Sequence, residues 1–228
     1  MRFTGLRRAI HALVMGPPGS GKGTVSTRIR RDFDMHHISS GDLLRSGIMN
    51  NAKHATMAKE YIDTGKLVPD GVMVSLVLSQ LKNIPSYTSW VLDGFPRTLF
   101  QAESLYHGER IDTVINLDVP FDTIMERLSG RWTHLSSGRV YNEGFNPPHK
   151  PGFDDLTGEP LVQRDDDKPE TIHQRQKTYV EQTQPLLDFF EEKQLLHSFS
   201  GTETDTIYPH ILEYLKTLHK TQEKSEKF

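Results

Sequence analysis

The chain contains no cysteine, which removes disulfides, thiolate nucleophiles and Cys-ligated zinc together and leaves every redox compartment open. Long apolar runs are missing as well: none approaches the roughly 20 residues that a bilayer span needs. Nor is there surplus charge of one sign. Lys and Arg number 27 against 30 Asp and Glu, a formal net charge of -3, so no global field draws the chain to nucleic acid or to an anionic membrane. A polyanionic ligand must therefore be gripped by locally clustered Arg and Lys. What remains is 35% hydrophobic and 25% charged over 228 residues, enough for one sizeable core with small mobile subdomains.

Short apolar runs alternate with helical patterns. Strands are expected at 9–15, near 35–38, at SWVL ending on Asp93, at 113–119 and, more weakly, at 195–199. Helices are expected at 22–31, 70–82, 98–106, 120–129 and about 168–193, the last bending near Pro185, where a proline removes an internal hydrogen bond. This alternation argues for a parallel sheet covered on both faces. Residues 131–167 break the rhythm. They are rich in Gly, Pro, Asn and Asp, carry short strand candidates at GRVY and EPLVQ, and read as an inserted subdomain or lid. The polar tail after Lys216 is expected to fray. The first fifteen residues are basic and acid-free, which fits both a mitochondrial address and a plain lead-in to the first strand.

Gly16-Pro17-Pro18-Gly19-Ser20-Gly21-Lys22-Gly23-Thr24 lies between a predicted strand and a predicted helix, where a P-loop belongs. Its glycines let successive backbone N–H groups converge on phosphate oxygens, and the helix N-terminus adds a positive dipole. Lys22 supplies a point charge for the β- and γ-phosphates. Gly23 stands where Ser or Thr usually follows the lysine, and the hydroxyl comes one place later at Thr24. A P-loop alone does not separate a kinase from a GTPase, an ATPase or a passive binder.

GPPGSGKGT (16–24), SSGDLLR (39–45), GKLVPD (65–70), LDGFPRT (92–98), SGRVYN with FNPP (137–148) and DDLTGEPLVQRDDDKPET (154–171) occur in order along the chain. In this it resembles the adenylate kinase family over almost its whole length. The last two segments, with SGTET at 200–204, are most similar to the family's branch that uses GTP in the mitochondrial matrix. The resemblance implies an α/β P-loop nucleoside monophosphate kinase fold: a central five-stranded parallel sheet with helices on both faces. It adds a helical acceptor-binding subdomain at 39–68 and a short β lid at 130–167.

By the same resemblance Gly19, Ser20, Gly21, Lys22, Gly23 and Thr24 hold the donor phosphates. Ser40, Arg45, the Lys66-Leu67-Val68 backbone, Gly94, Arg97 and Gln101 hold AMP. The chemistry agrees, since Arg45 and Arg97 can grip one phosphate bidentately and Gln101 offers both a donor and an acceptor to a base edge. Arg131, Arg164 and Arg175 are implied on the transferring phosphates, with Arg164 and Arg175 also toward AMP. Arg127 is implied to stack on the donor base, with Val140, Tyr141, Thr202 and Thr204 nearby, and Arg139 is the least secure of the arginines. Taken singly, each lid arginine could instead pair at the surface with Asp165-Asp166-Asp167, worth only about 0–1 kcal/mol.

Asp93 ends an apolar strand where P-loop proteins organise magnesium, and the family places it and Asp42 near Mg2+ mainly through water, so neither is expected as a direct ligand. Some family members bind zinc in the lid through four cysteines. Here His134, Ser137, Asp154 and Thr157 occupy that spacing, and a hydrogen-bonded cluster rather than zinc is expected because Ser and Thr are poor ligands. Gly130 and Pro169 are candidate hinges.

A GTPase switch would want an Asn/Thr-Lys-x-Asp segment, which the chain lacks, and would leave the arginine-bearing insertion unexplained. A binder with lost catalysis would show damage at Lys22, Arg97, Arg131 or Arg164, and all four are present. The expected activity is phosphoryl transfer from a magnesium-bound nucleoside triphosphate to AMP, with GTP the favoured donor and ATP and ITP open. The expected setting is a monomer acting on small nucleotides, without nucleic acid or membrane, in the mitochondrial matrix or else the cytoplasm.

Overall fold

The computed structural model describes residues 8–49 and 60–225. The basic stretch before residue 8 and the middle of the 39–68 segment lie outside the described residues.

Five parallel strands form the central sheet: β1 (His11–Met15), β2 (His36–Ser39), β3 (Trp90–Asp93), β4 (Thr113–Asp118) and β7 (Leu196–Ser200), in the order β2-β3-β1-β4-β7. β1 is buried at all five positions because both of its faces are covered. Its side chains alternate between two apolar layers. Ile10, Ala12 and Val14 join Val25 and Ile29 of α1 (Lys22–Phe33) and Ile211 and Leu215 of α8 (Thr204–Ser225). Leu13 and Met15 pack on the other side with α3 (Asp70–Lys82), α4 (Leu99–Gly108) and α7 (Leu186–Glu192), through Met73, Val77, Leu105 and Phe190. A fully buried aliphatic side chain contributes about 1.5–3 kcal/mol, so these two layers hold the sheet rigid.

The chain order places the site. From β1 it passes by α1 to β2, two places away, then returns to β3 and crosses to the far side at β4. The order reverses at β1, and ligands bind beyond the carboxyl ends of strands at such a reversal. Gly16 follows β1 there. Asp93 pairs across β1 with Val14 and across β2 with Ser39, so the loop, the acid and the start of α2 (Ser40–Met49) share one edge.

The insertion folds around an antiparallel pair, β5 (Arg131–Thr133) with β6 (Val140–Asn142). RWT, not anticipated as a strand, is the partner of the expected GRVY. EPLVQ contributes only isolated bridges, Thr133 to Val162 and Phe153 to Pro160. The lid returns through a short turn of 3-10 helix, Asp165–Asp167, to α6 (Pro169–Thr178).

Two expectations are corrected. The helix expected over 168–193 is broken earlier than Pro185, by a π-helical turn at Tyr179–Thr183 that separates α6 from α7. The C-terminal segment does not fray from Lys216: α8 runs to Ser225. Ile207, Ile211 and Leu215 recur every fourth residue and are buried, and Phe33 stacks on His219 with ring centroids 5.3 Å apart. Pro209 lies in the second turn, where it removes a single hydrogen bond.

Candidate functional site

The P-loop is built around an open helix end. α1 starts at Gly21 in a left-handed conformation (φ 92°) with no side-chain cap, so its first N–H groups face the loop's hollow. At Gly16 (φ 138°) a Cβ would lie 2.7 Å from the Leu117 carbonyl oxygen, so the loop hugs β4 as only glycine permits. Lys22 folds over this cradle, its Nζ donating to the Gly16 and Pro17 carbonyls at 2.8 Å each. Burial pushes Lys22 down to about 7, against the pull of Asp93, while Arg97, Arg175 and Arg131 push the same way as burial. The Ser20 hydroxyl is buried without a hydrogen-bond partner among the described residues. A phosphate would answer both needs, by charge and as an acceptor.

Asp93 sits at the floor beside Gly23, fully buried, and burial raises its pKa although Lys22 and His37 pull it down. Asp42 is also pushed up by burial, but Arg45 outweighs this and holds it low, its Nη2 donating to Asp42 Oδ1 at 2.5 Å. Two carboxylates near a phosphate cradle form an acceptor set that suits the water shell of a magnesium ion.

On the far side of Asp93 one cleft gathers Ser40, Arg45, Lys66, Leu67, Val68, Gly94, Arg97, Gln101 and Arg175 along its wall. These are the acceptor-side candidates except Arg164. Ser40 donates to the Gly94 carbonyl at 2.7 Å, and Arg97 Nε donates to the same oxygen at 2.7 Å. Burial lowers Arg97 to about 10, with Arg175 the next largest cause. A second, neighbouring cleft lies across the Lys66–Val68 segment, between Tyr61, Asp70, Gln174 and Glu181.

The remaining arginines enter from the lid and α6. Arg131 opens β5, and its guanidinium forks onto Asp167, with Nε to Oδ2 at 2.7 Å. Arg175 on α6 donates to Asp166 Oδ2 at 2.7 Å. Both aspartates are buried beside these arginines, so the Asp166 and Asp167 pairs are not the exposed surface pairs that the sequence left open. Arg164 donates to the Thr133 hydroxyl at 2.9 Å, and burial followed by repulsion from Arg131 and Arg45 lowers it to about 9. Gln176 ties α6 to the P-loop by donating to the Pro18 carbonyl at 3.1 Å.

Toward the donor end, Arg127 on α5 (Phe121–Ser129) donates to the Thr202 carbonyl at 2.6 Å and lies 4.9 Å from the centroid of Phe145. The Thr204 hydroxyl fills the place that a Cβ on Gly21 would take, 2.8 Å away. Val140 is exposed. Tyr141 turns inward, its hydroxyl donating to Asp154 Oδ1 at 3.0 Å, so only its backbone faces outward. Gly130 ends α5 and Pro169 opens α6, at the two stems of the lid.

Inside the lid, His134 bonds Ser137 at 2.7 Å and Thr157 at 3.3 Å, and Glu159, absent from the sequence reading, joins its Nε2 at 2.5 Å. Asp154 receives both arms of Arg139 at 2.8 Å together with Thr157 and Tyr141, and these bonds, Arg139 first, hold its carboxyl far below the ordinary range. Arg139 thus points into the lid. Asp70, Thr133, Phe145, Glu159 and Gln176 are contacting residues that the sequence did not flag, because each acts through a partner remote in the chain.

A glycine-rich nest, a buried lysine and a ring of arginines at a strand-order reversal define a P-loop nucleotide-binding protein with an antiparallel insertion. The adenylate kinase family matches over residues 14–195. A relative from Drosophila melanogaster, "GTP:AMP phosphotransferase, mitochondrial", is 46% identical over 207 residues, covering 91% of this chain and 94% of its own. The chain belongs to the adenylate kinase family, and it is accordingly a phosphotransferase.

Proposed function

We propose that the protein transfers the γ-phosphoryl group of a magnesium-bound nucleoside triphosphate, with GTP favoured, to AMP, giving a nucleoside diphosphate and ADP. The observation that carries this reading is a group of buried cations, Lys22, Arg97 and Arg164, that hydrogen-bond to neutral oxygens and are pushed toward their uncharged forms. Asp93, Asp166 and Asp167 offset only part of this cost, and phosphates would supply the remaining negative charge.

The donor phosphates rest on the Gly19–Thr24 backbone and Lys22, with the base against Arg127, near Thr202, Thr204 and the Val140–Tyr141 backbone. AMP lies in the acceptor cleft, its phosphate between Arg45 and Arg97. An AMP phosphate oxygen attacks the γ-phosphorus in line as the bond to the bridging oxygen breaks, and no base is required because that oxygen is already ionised. Arg131, Arg164 and Arg175 neutralise the charge on the equatorial oxygens. Asp93 and Asp42 would hold the water shell of a magnesium ion, which would offset negative charge on the donor phosphates. Residues 130–167 close over the pair and exclude water.

GTP is preferred as donor because the relative's name gives it. The same name, with the basic N-terminus, supports a mitochondrial setting, and a monomer suffices because one chain carries both nucleotide sites. A coupled assay of purified protein with AMP against GTP, ATP and ITP tests the reading. Turnover with AMP, fastest with GTP, is expected; a flat response to AMP with every donor defeats it.

A further inference from the structure

Behind the acceptor cleft, at the start of α3, lies a contact that this reading does not use. Gln101 is only 2% exposed, and both ends of its amide are already held. Its Oε1 accepts from the Arg97 backbone N–H at 2.8 Å, and its Nε2 donates to Asp70 Oδ1 at 2.7 Å. The two holders differ in kind, since a backbone N–H only donates and an ionised carboxylate only accepts. Turning the amide over would set donor against donor at one end and acceptor against acceptor at the other.

We propose that Asp70 is the specificity-setting residue of the acceptor site: by locking the Gln101 amide it admits a 6-aminopurine monophosphate and rejects a 6-oxopurine one. This rests on the acceptor reading above. A primary amide has two N–H donors and two carbonyl lone pairs. Asp70 takes one N–H and the Arg97 N–H takes one lone pair, which leaves one of each for the cleft. A 6-aminopurine offers an accepting ring N1 beside a donating amine and matches that remainder. A 6-oxopurine reverses both polarities and matches only the flipped amide. The terminal torsion of a glutamine is broad and close to two-fold, so Gln101 alone would serve either base. The selectivity lies in what fixes it. Asp70 acts through Gln101, so it is a positioning residue. Its place in the first turn of α3, where a carboxylate also suits the helix dipole, is the competing structural role.

AMP and IMP differ only in the polarity of this edge, so the test measures kcat/KM for each with saturating donor in wild type, Asp70→Asn and Asp70→Ala. Asparagine keeps the size of the side chain but can present either an acceptor or a donor, so only the Arg97 N–H still opposes the turn; alanine deletes the Asp70 anchor outright. The AMP-over-IMP ratio is expected to fall about tenfold in either variant, through a higher KM for AMP and a lower KM for IMP. A helix-start role alone would lower the thermal midpoint and scale both acceptors together, so it does not mimic this result. An unchanged ratio in whichever variant folds overturns the proposal. Should wild type fail to phosphorylate AMP at all, the acceptor reading falls first and this proposal with it, which is a different outcome from an active enzyme with an unmoved ratio.

Discussion

Guanidinium groups in this molecule live under two opposite regimes. In the lid interior Arg139 spends both arms on Asp154, and the pair is self-sufficient: the arginine is pushed up and the carboxyl far down by their mutual hydrogen bonds. Arg97 in the cleft and Arg164 beyond its wall hydrogen-bond to a carbonyl and a hydroxyl, and burial with neighbouring cations pushes them to about 10 and about 9. The first region is electrostatically complete without a ligand; the second is not. Unneutralised buried charge works against folding, so it persists only where the surroundings enforce it, and such places are sites awaiting an anion.

The largest effect that tests this contrast is Arg164→Ala. Turnover with saturating substrates is expected to fall about 10³-fold or more, because a guanidinium supplied to a phosphoryl-transfer transition state is worth that much. Stability goes the other way. A base whose pKa is lowered on folding disfavours the folded state wherever it is charged, so its loss leaves the melting temperature level or raises it. A large drop in melting temperature with turnover intact would put Arg164 in the same class as Arg139 and dissolve the contrast.

Asp154→Asn is the reciprocal change and is expected to act on folding first. It strands Arg139 and disturbs the bonds to Thr157 and Tyr141, and a fall in melting temperature of about 5 °C is expected, with faster amide exchange across residues 131–162. The sign with pH follows from the depressed carboxyl. Its contribution is fully present above the ordinary carboxylate range and is lost as pH falls through the lower folded value. The gap between wild type and variant should therefore stay constant from neutral pH down to the ordinary carboxylate range, narrow progressively below it and close only in strong acid. Closure already near neutral pH would mean that Asp154 does not govern the cluster.

The two regions also differed in how far the sequence exposed them. The P-loop was legible because glycines, a lysine and an apolar strand are contiguous, and Asp93 because it ends a short buried run. The acceptor cleft was legible only as motif order, since Arg45, Arg97 and Gln101 meet through sheet pairing that no local pattern encodes. Partners stayed hidden for the same reason: Asp70 reads locally as a helix-start acid, and Glu159 and Phe145 as loop residues. α8 was missed because Pro209 and a polar tail masked an every-fourth-residue stripe whose cover, α1, lies far upstream. The π turn at Tyr179–Thr183 breaks a pattern that otherwise reads as one helix.

Arg127 falls between the two regimes, and the smallest expected effect shows to which it belongs. Burial lowers its pKa, as in the cleft, but the Phe145 ring covers the guanidinium at 4.9 Å, and Phe145 belongs to the lid insertion. An aromatic face holding a cation contributes about 0.5–2 kcal/mol, roughly a twofold to thirtyfold change in an equilibrium, and on the proposed donor reading it would keep the guanidinium flat for a stacked base. Phe145→Leu should then raise the donor KM about threefold to tenfold and leave the AMP KM alone, while Phe145→Tyr restores the donor KM. If both KM values rise together in the leucine variant, the ring supports closure of the whole lid, and Arg127 is held in place by Thr202 without its help.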